Sequence, residues 1–339
     1  MSKTLLVTGG AGFVAHHVIE YFLDNTDWKI ISLDRLDFSG NLNRLHEITK
    51  NRTDKNRVSV VHHDLRAPIN SQIAKNLGNV NIILHLAAAS HVTRSIQFPL
   101  EFVESNINGT VNLLEYARTL DNLERFFYFS TDEVFGPAIP NKKFTEFDRF
   151  NATNPYSASK AAGESMCVAY HNTYNLPIYI SHTMNIIGER QNPEKYVPMV
   201  IKKILNDDPI TIHYNSKTNE IGSRCYLHAK DVADAIYFIL NLPEIKYDEH
   251  HFGGKCPKFN VASTIQYDNL EIATKIALSL NKNIKIEMID PFIDRPGHDF
   301  SYQISGEYLN KLGWSPKISI DTRLPELTSW YANNQDWLK

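Results

Sequence analysis

The chain has 339 residues, of which 42% are hydrophobic and 22% charged, as in a globular protein of one large or two modest domains. Its formal net charge of -3 excludes a basic surface for nonspecific binding of nucleic acids or membranes. The 3 scattered cysteines suit no disulfide framework, and no signal peptide or membrane-spanning apolar run is recognisable. We therefore expect a cytoplasmic protein that binds neither nucleic acid nor membrane.

Short apolar runs alternate with helical patterns along the first half of the chain. The first helical pattern covers Phe13–Leu23. Continuous apolar runs separated by helices are typical of strands that are buried on both faces of a parallel sheet. The predicted strands are Thr4–Val7, Lys29–Leu33, Val58–Val61, Asn81–Leu86, Arg125–Phe129 and Leu176–Ile180. These elements predict an α/β fold with a doubly wound parallel sheet of the Rossmann type.

The pattern changes from Thr183 onward, where prolines cluster and the strand–helix alternation becomes irregular. Two helices are still predicted, over Ala229–Leu240 and Tyr267–Leu280. We interpret this later part as a smaller α/β substrate-binding region that interleaves with the first. The predicted division assigns residues 1–182 and a returning segment 228–250 to the domain of the large sheet, and residues 183–227 and 251–339 to the smaller domain.

A glycine-rich motif follows the first predicted strand, in the order Thr8-Gly9-Gly10-Ala11-Gly12-Phe13-Val14-Ala15. Glycines let the backbone turn tightly and approach a pyrophosphate, while the next helix N-terminus faces its negative charge. The predicted contacts from this motif are Gly9, Gly12, Phe13 and Val14. Asp34 ends the second strand, where a carboxylate can accept the adenosine ribose hydroxyls and repel a 2′-phosphate. This favours NAD over NADP, although Arg35 follows directly.

The ends of the next two strands complete the predicted cofactor site. Asp64 and Leu65 follow the third strand and place a carboxylate near the adenine. Ala87 and Ala88 follow the fourth strand, where small side chains let the backbone lie against a flat cofactor. The 14 histidines show no His-Glu-x-x-His or similar spacing, so no metal site is expected.

Tyr156 and Lys160 lie four residues apart, which places both on one face of a predicted helix. A free tyrosine has a pKa of about 10. A neighbouring ammonium and an oxidised nicotinamide both favour the phenolate, so this tyrosine can take a proton from a substrate hydroxyl near neutral pH. Because the lysine can also hold the nicotinamide ribose, both residues are predicted cofactor contacts as well as catalytic residues.

Two adjacent carboxylates, Asp132 and Glu133, follow Thr131 at the end of the fifth predicted strand. In a doubly wound sheet the C-terminal ends of the strands line the ligand crevice. One protonated and one ionised acid can divide general-acid and general-base work if their environments differ. The alternative is a solvated turn or helix start, where acids interact favourably with the helix dipole.

Two longer motifs contain these residues: Ser130-Thr131-Asp132-Glu133-Val134-Phe135-Gly136 and Asn154-Pro155-Tyr156-Ser157-Ala158-Ser159-Lys160-Ala161. Over nearly its whole length the chain closely resembles the dTDP-glucose 4,6-dehydratases of the extended short-chain dehydrogenase/reductase superfamily. The similarity extends to His85-Leu86-Ala87-Ala88-Ala89-Ser90-His91-Val92, Asn106-Ile107-Asn108-Gly109-Thr110, Asn192-Pro193-Glu194-Lys195, Arg224-Cys225-Tyr226-Leu227 and Asp294-Arg295-Pro296-Gly297-His298-Asp299.

The resemblance implies a redox-neutral dehydration of a nucleotide-linked hexose with tightly bound NAD. Tyr156 would take the proton of the sugar 4-hydroxyl as hydride passes from C4 to NAD, and Thr131 would bind the 4-oxygen. Glu133 would then remove the C5 proton and Asp132 would protonate the departing 6-hydroxyl, before hydride returns to C6. The implied substrate contacts are His91, Asn185, Lys195, Arg224, Arg295 and His298.

Other functions share part of this pattern. A nucleotide-sugar 4-epimerase needs the Tyr, Lys and Thr, and a uronic-acid decarboxylase typically has Ser or Thr in place of Asp132, so the acid pair argues against both. A non-catalytic NAD-sensing regulator usually loses the tyrosine that this chain keeps. Departures from the family at Ala89 and Thr93 leave the hexose open, and the base could be that of dTDP, UDP or GDP. Because the family pairs two helices across a dimer, at about Val111–Arg118 and Ser157–Tyr170 here, a homodimer is predicted.

Overall fold

The computed structural model describes residues 2–243, 255–290 and 301–339. Its strands are β1 Thr4–Thr8, β2 Lys29–Asp34, β3 Val58–His62, β4 Ile82–His85, β5 Arg125–Thr131, β6 Ile178–Thr183, β7 Asn185–Ile187, β8 Ile210–His213, β9 Ser223–His228, β10 Lys258–Val261, β11 Gln266–Asp268 and β12 Ile286–Ile289. Its helices are α1 Phe13–Asn25, α2 Leu42–Thr49, α3 Ser71–Leu77, α4 Val92–Gln97, α5 Pro99–Phe102, α6 Gly109–Ala117, α7 Pro155–Tyr174, α8 Tyr196–Leu205, α9 Ala229–Leu240, α10 Asn269–Leu280, α11 Glu307–Leu312 and α12 Ile320–Asn333. None of these helices, within the described ranges, is long and apolar enough to cross a membrane.

A parallel sheet forms the centre of the molecule. Within the described ranges it contains seven strands in the order β10-β6-β5-β4-β1-β2-β3. Neighbouring strands run parallel throughout. The order of the first six strands is that of a doubly wound dinucleotide-binding sheet, which confirms the predicted fold class. Because the order reverses between β1 and β4, a ligand crevice is expected beyond the C-terminal ends of these two strands.

Apolar side chains cover both faces of this sheet. On one face, Val7 of β1 packs in a cluster with Phe22 of α1. On the other face, Leu6 of β1 packs in a cluster with Leu113 of α6. Successive residues of one strand are therefore buried on opposite faces, which is why the strands are continuous apolar runs in the sequence.

A second group of elements has an apolar cluster of its own. Ile201 of α8, Ile276 of α10 and Leu327 of α12 pack together there. A three-stranded sheet, β11-β9-β7, and a two-stranded sheet, β12-β8, belong to the same part of the chain. This is the smaller α/β region expected after Thr183, although β10, from the range predicted for the substrate domain, pairs with β6 of the large sheet. The proposed domain bounds stay a prediction.

The ends of the predicted elements mostly agree with the structure. Helix α9 covers the predicted Ala229–Leu240. The helix predicted over Tyr267–Leu280 begins only at Asn269, after the short strand β11. Asp268 causes this boundary, because its carboxylate accepts the backbone N–H of Glu271 while the Glu271 carboxylate accepts the N–H of Asp268.

Candidate active site

A cleft with a volume of about 350 Å³ opens where β1, β2, β4 and β5 end. This is the position that the reversal of strand order predicts for a ligand site. The structure brings most of the predicted site residues together on its walls, namely Gly9, Gly12, Phe13, Val14, Asp34, Asp64, Leu65, Ala87, Ala88, His91, Thr131, Asp132, Glu133, Tyr156, Lys160, Asn185 and Lys195.

The glycine-rich loop lies close to the backbone after β4. Gly9 has a φ of 66°, and a Cβ atom there would come within 2.9 Å of Ala87 Cα. Gly12 is the N-cap of α1, and among the described residues no side chain caps this helix end. The first amides of α1 therefore face the cleft, as an anion site at a helix N-terminus requires.

Asp34 is fixed at the end of β2 by two backbone amides. Its carboxylate accepts the N–H of Ala11 at 3.0 Å and the N–H of Leu36 at 2.8 Å. Arg35, which could argue for a 2′-phosphate, instead forms an ion pair with Asp37 at 2.6 Å. It also lies about 4 Å from the carboxylates of Glu101 and Asp64. The charge of this arginine is thus already balanced by protein acids.

Helix α7 positions the Tyr–Lys pair. Its start is fixed because the Asn154 side chain accepts the backbone N–H of Ser157, in a capping box. The Lys160 ammonium donates to the Phe129 carbonyl at 2.7 Å and lies 4.2 Å from the centre of the Tyr128 ring. Burial lowers the pKa of Lys160 to about 8. A substantial fraction of this side chain is therefore charged at neutral pH.

Tyr156 interacts with the residues at the end of β5 and just after it. Burial, and next the negative charge of Glu133, raise the pKa of Tyr156 far above its ordinary value. A hydrogen bond with Thr131 acts in the opposite direction. The phenol, the threonine hydroxyl and the glutamate therefore share one part of the cleft.

The two acids of the pair have different surroundings. Asp132 is 4% exposed, and its carboxylate accepts the Thr131 hydroxyl at 3.2 Å. Burial, and next the charge of Glu133, raise the pKa of Asp132 to about 7, while Arg224 opposes the rise. Glu133 is only partly buried, and its carboxylate accepts the Tyr302 hydroxyl at 3.4 Å. The arrangement provides one acid that can hold a proton near neutral pH beside a more accessible one.

The predicted substrate contacts differ in their positions relative to the cleft. His91 accepts the backbone N–H of Arg94 and so caps α4, and Lys195 donates to the Ser90 carbonyl at 3.4 Å. Asn185 begins β7 on the cleft wall. Arg224 is not on that wall; its guanidinium lies 4.8 Å from the ring of Tyr302. The predicted contacts Arg295 and His298 lie outside the described residues.

Arg44 is a cleft residue that the sequence analysis missed. It is 4% exposed and donates to the carbonyls of Ala11, Ser39 and Arg190, at 3.0, 2.6 and 2.9 Å. Burial lowers the pKa of Arg44 to about 10. The residue thereby joins the glycine-rich loop to the segment before Lys195. No sequence pattern indicates this, because the accepting carbonyls come from distant segments.

Asn106 is a second missed residue, although its motif was recognised. Its side-chain amide accepts the N–H of Ala89 at 2.8 Å and donates to the Ala89 carbonyl at 3.0 Å. It also donates to the Ser159 hydroxyl on α7 at 2.9 Å. Asn106 therefore fixes the cleft wall after β4 against the helix of the Tyr–Lys pair.

The fold and the cleft are those of the extended short-chain dehydrogenase/reductase superfamily. The sequence model of a family described as GDP-mannose 4,6 dehydratase matches residues 6–327. The chain therefore belongs to the GDP-mannose 4,6 dehydratase family.

Individual relatives support the same assignment. The chain is 32% identical to a dTDP-glucose 4,6-dehydratase of Haemophilus influenzae, with 97% of this chain and 98% of that protein covered. A Streptomyces venezuelae dTDP-glucose 4,6-dehydratase solved with NAD bound has a TM-score of 0.86, 29% identity and 99% coverage of both chains. A Thermus thermophilus UDP-glucose 4-epimerase in complex with NAD has a TM-score of 0.84 and 25% identity, with 97% and 99% covered.

Proposed function

We propose that the chain is an NAD-dependent lyase, a nucleotide-diphosphate-hexose 4,6-dehydratase that makes a 4-keto-6-deoxy sugar. The observation that carries this proposal is the acid pair, with Asp132 buried beside Glu133 in the same cleft as Tyr156 and Lys160. Oxidation at a sugar carbon needs only the tyrosine, lysine and threonine. Elimination of water also needs an acid and a base, which the pair provides.

The cleft fits NAD. A side chain at position 9 would collide with the backbone of Ala87, so this loop can approach a ligand closely. The start of α1, which no side chain among the described residues caps, can bind a pyrophosphate. The Ser130 hydroxyl on the cleft wall is buried and has no hydrogen-bond partner among the described residues, so it is open to a ligand. Asp34 favours a free ribose over a 2′-phosphate. NAD, when bound, supplies a hydride acceptor for C4, a hydride donor for C6 and a positive charge near the phenol.

The first step is proton removal from the sugar 4-hydroxyl. Tyr156 is the base, and Lys160 holds the ribose while its positive charge favours the phenolate. Thr131, which shares a hydrogen bond with Tyr156, binds the 4-oxygen and polarises it as the ketone forms. The relatives solved with NAD support these roles through their similarity to this chain.

The second step is loss of water across C5 and C6. The 4-ketone acidifies the C5 proton, and Glu133 removes it; when hydride returns to C6, Glu133 gives a proton back to C5. Asp132 gives its proton to the leaving 6-hydroxyl, which its pKa of about 7 permits near neutral pH. The two acids thus have separate roles because burial keeps Asp132 protonated more readily than an exposed carboxyl.

The nucleotide part of the substrate is assigned to the part of the cleft that is lined by His91, Asn185 and Lys195, with Arg224 nearby. Lysine and arginine suit a diphosphate because their hydrogen bonds to it are charge-assisted. The similarity to dTDP-glucose 4,6-dehydratases makes dTDP-glucose the first substrate to test, with UDP-glucose next.

Cellular location, assembly and domain division also belong to the proposal. The net charge and composition support a cytoplasmic enzyme. Exposed apolar side chains at Phe98, Leu100 and Val103 lie on segments next to α6, which supports a homodimer formed through α6 and α7. We divide the chain into an NAD-binding domain, 1–182 with 228–250, and a nucleotide-sugar-binding domain, 183–227 with 251–339. Analytical ultracentrifugation tests the dimer.

A 4-epimerase is the second candidate, because an epimerase shares the fold at a TM-score of 0.84. Incubation with dTDP-glucose, UDP-glucose, GDP-mannose and a UDP-uronic acid, followed by mass spectrometry and NMR of the sugar product, separates these functions. A product that has lost one water and absorbs in alkali as a 4-keto sugar supports the dehydratase. Unchanged mass with inverted C4 means an epimerase, and loss of carbon dioxide from a UDP-uronic acid means a decarboxylase. No turnover of any sugar means an NAD-sensing regulator.

A further inference from the structure

A buried charged network lies behind the catalytic cleft. Tyr156, Lys160 and Glu164 are spaced four residues apart on α7, so all three lie on one face of the helix. Glu164 is fully buried, and its carboxylate accepts from Lys258 at 2.7 Å and from His182 at 3.1 Å. A buried carboxylate of this kind is tolerated because cations pair with it.

Hydrogen bonds hold both ring nitrogens of His182. Its Nε2 lies 3.1 Å from both oxygens of the Glu164 carboxylate, which accept. Its Nδ1 lies 2.9 Å from Oδ1 of Asn260, whose Nδ2 donates to the Phe144 carbonyl at 3.0 Å. Both ring nitrogens of His182 therefore face oxygen atoms that can accept a hydrogen bond.

The network also touches the turn that carries the acid pair. Phe135 is the last residue of the turn Asp132–Phe135, and its ring packs edge-on against His182 with centroids 4.7 Å apart. The same ring stacks on Phe144 at 5.5 Å. Glu146, whose carboxylate accepts the N–H of Asn260, is the further acid that faces His182. The network thus joins the acid turn to the helix of the Tyr–Lys pair.

Charged and titratable groups face Lys160 from three elements. Burial lowers the pKa of Lys160, whereas Cys167 and Glu164 of α7 oppose this. Tyr128 of β5 lies against the ammonium. On β4, burial and next the charge of Lys160 lower the pKa of His85 to about 3, which leaves that ring neutral at pH 7. Glu164 is therefore the group among these that carries a negative charge at neutral pH.

We propose that Glu164 is a positioning residue for the first proton transfer. His182 and Lys258 hold its carboxylate in place, and the three residues form a charged support behind the cleft. The negative charge of Glu164, one helical turn from Lys160 on α7, keeps Lys160 an ammonium. The part of this that concerns turnover rests on the proposed function. The charge of His182 and the titration of Lys160 can be measured on the purified protein with no sugar present, so they stand or fall independently of the dehydratase activity.

The first test is NMR of the wild-type protein with ¹⁵N-labelled histidine, with the His182 signals assigned by their loss in His182→Asn. We expect both ring nitrogens of His182 to carry protons, because both face hydrogen-bond acceptors. A neutral His182 ring at pH 7 would overturn the proposal. This test needs no variant of Glu164 to fold.

The second test is the titration of Lys160, followed by NMR of ¹³C-labelled lysine in wild type, Glu164→Gln and His182→Asn, with the signal assigned through Lys160→Met. Glu164→Gln should move the titration midpoint of Lys160 down by about one pH unit, because a nearby negative charge is lost. His182→Asn keeps that charge and removes a cation, so the midpoint should stay or move up.

A purely structural role for Glu164 predicts the opposite for the first variant. A loosened core would admit water to Lys160, and its titration midpoint would then rise in both variants toward that of an exposed lysine. Such a common rise, or no change in Glu164→Gln, would overturn the proposal. If Glu164→Gln does not fold, either of two other results overturns the proposal. One is a lower titration midpoint of Lys160 in His182→Asn, and the other is a neutral His182 ring in the wild-type protein.

Turnover gives a third readout. At about pH 8, Glu164→Gln should slow formation of reduced NAD from the sugar by about fivefold, since a midpoint of Lys160 that moves down by one pH unit lowers its charged fraction there to that extent. The KM for the sugar should stay unchanged, because Glu164 lies behind the cleft. A raised KM with unchanged kcat contradicts the positioning role.

Discussion

Asp132 and Glu164 are both buried carboxylates, the first in the turn after β5 and the second on α7, yet their protonation differs. Burial and then the neighbouring charge of Glu133 raise the pKa of Asp132 to about 7. Glu164 is equally buried, but its contacts with His182 and Lys258 overcome burial and lower its pKa to about 2. Partners, and not burial alone, therefore decide which acid carries a proton in the reaction and which one is a fixed charge.

Removal of the proton donor tests the first half of this comparison and has the largest expected effect. Asp132→Asn should slow loss of water by about 10² to 10⁴, because the leaving hydroxyl loses its general acid. Reduced NAD should still form, which rapid-mixing absorbance can follow. The matched control is Asp336→Asn, which changes an exposed surface carboxyl. Equal losses in both partial reactions would contradict separate roles for Asp132 and Tyr156.

Loss of the fixed charge tests the second half. Glu164→Gln should lower the free energy of unfolding at pH 7 by about 3 to 5 kcal/mol, because two buried cations lose their partner. The pKa of Glu164 is depressed in the folded state. Its contribution to stability is therefore present above the ordinary pKa of 4.5 and is lost as the pH falls toward 2. Urea unfolding at pH 7 measures the loss. An unchanged midpoint would mean that the network is not a stabilising ion pair.

The same measurement on Asp132→Asn should give the opposite sign. A carboxyl whose folded-state pKa is raised from 3.8 to about 7 destabilises the fold as the pH rises through that range. The asparagine variant should therefore be more stable by about 4 kcal/mol at pH 8, and this gain should disappear below pH 4. A variant that is less stable than wild type at pH 8 would show that the Asp132 charge is compensated.

The smallest effect concerns pH dependence. If Asp132 must be protonated, wild-type elimination should fall by up to about tenfold for each pH unit above 7. Asp132→Asn should lack this decrease, whereas His46→Asn should keep it, because His46 is exposed and does not line the cleft. Single-turnover rates of water loss across pH 6 to 9 decide the matter, and a flat profile in wild type would contradict the acid role.

Much of the fold could be predicted because its strands are buried on both faces. Strands β1 to β6 are continuous apolar runs, and their predicted and observed ends differ by a few residues. Strand β12 could not be predicted, because all four of its residues are exposed and show no burial pattern. Strand β10 begins with a buried lysine, Lys258, which pairs with Glu164 of α7. Such pairing between distant segments leaves no local signal.

The candidate site shows the same division. Asp132, Glu133, Tyr156 and Lys160 could be predicted because each motif is local in sequence and follows a predictable strand or opens a helix. The charged support could not be predicted in full, although the four-residue spacing from Lys160 to Glu164 is visible in the sequence. Its cations lie on β6 and β10, and only the sheet order brings these two strands together.

The most direct test of the dehydratase account is Glu133→Gln with dTDP-glucose in deuterated water. We expect reduced NAD to accumulate, while loss of water and deuterium incorporation at C5 fall by about 10² or more, because the base for the C5 proton is gone. The control Glu326→Gln alters an exposed carboxylate on α12 and should react as wild type does. If Glu133→Gln eliminates water at the wild-type rate, the acid pair does not perform the elimination and the account is wrong.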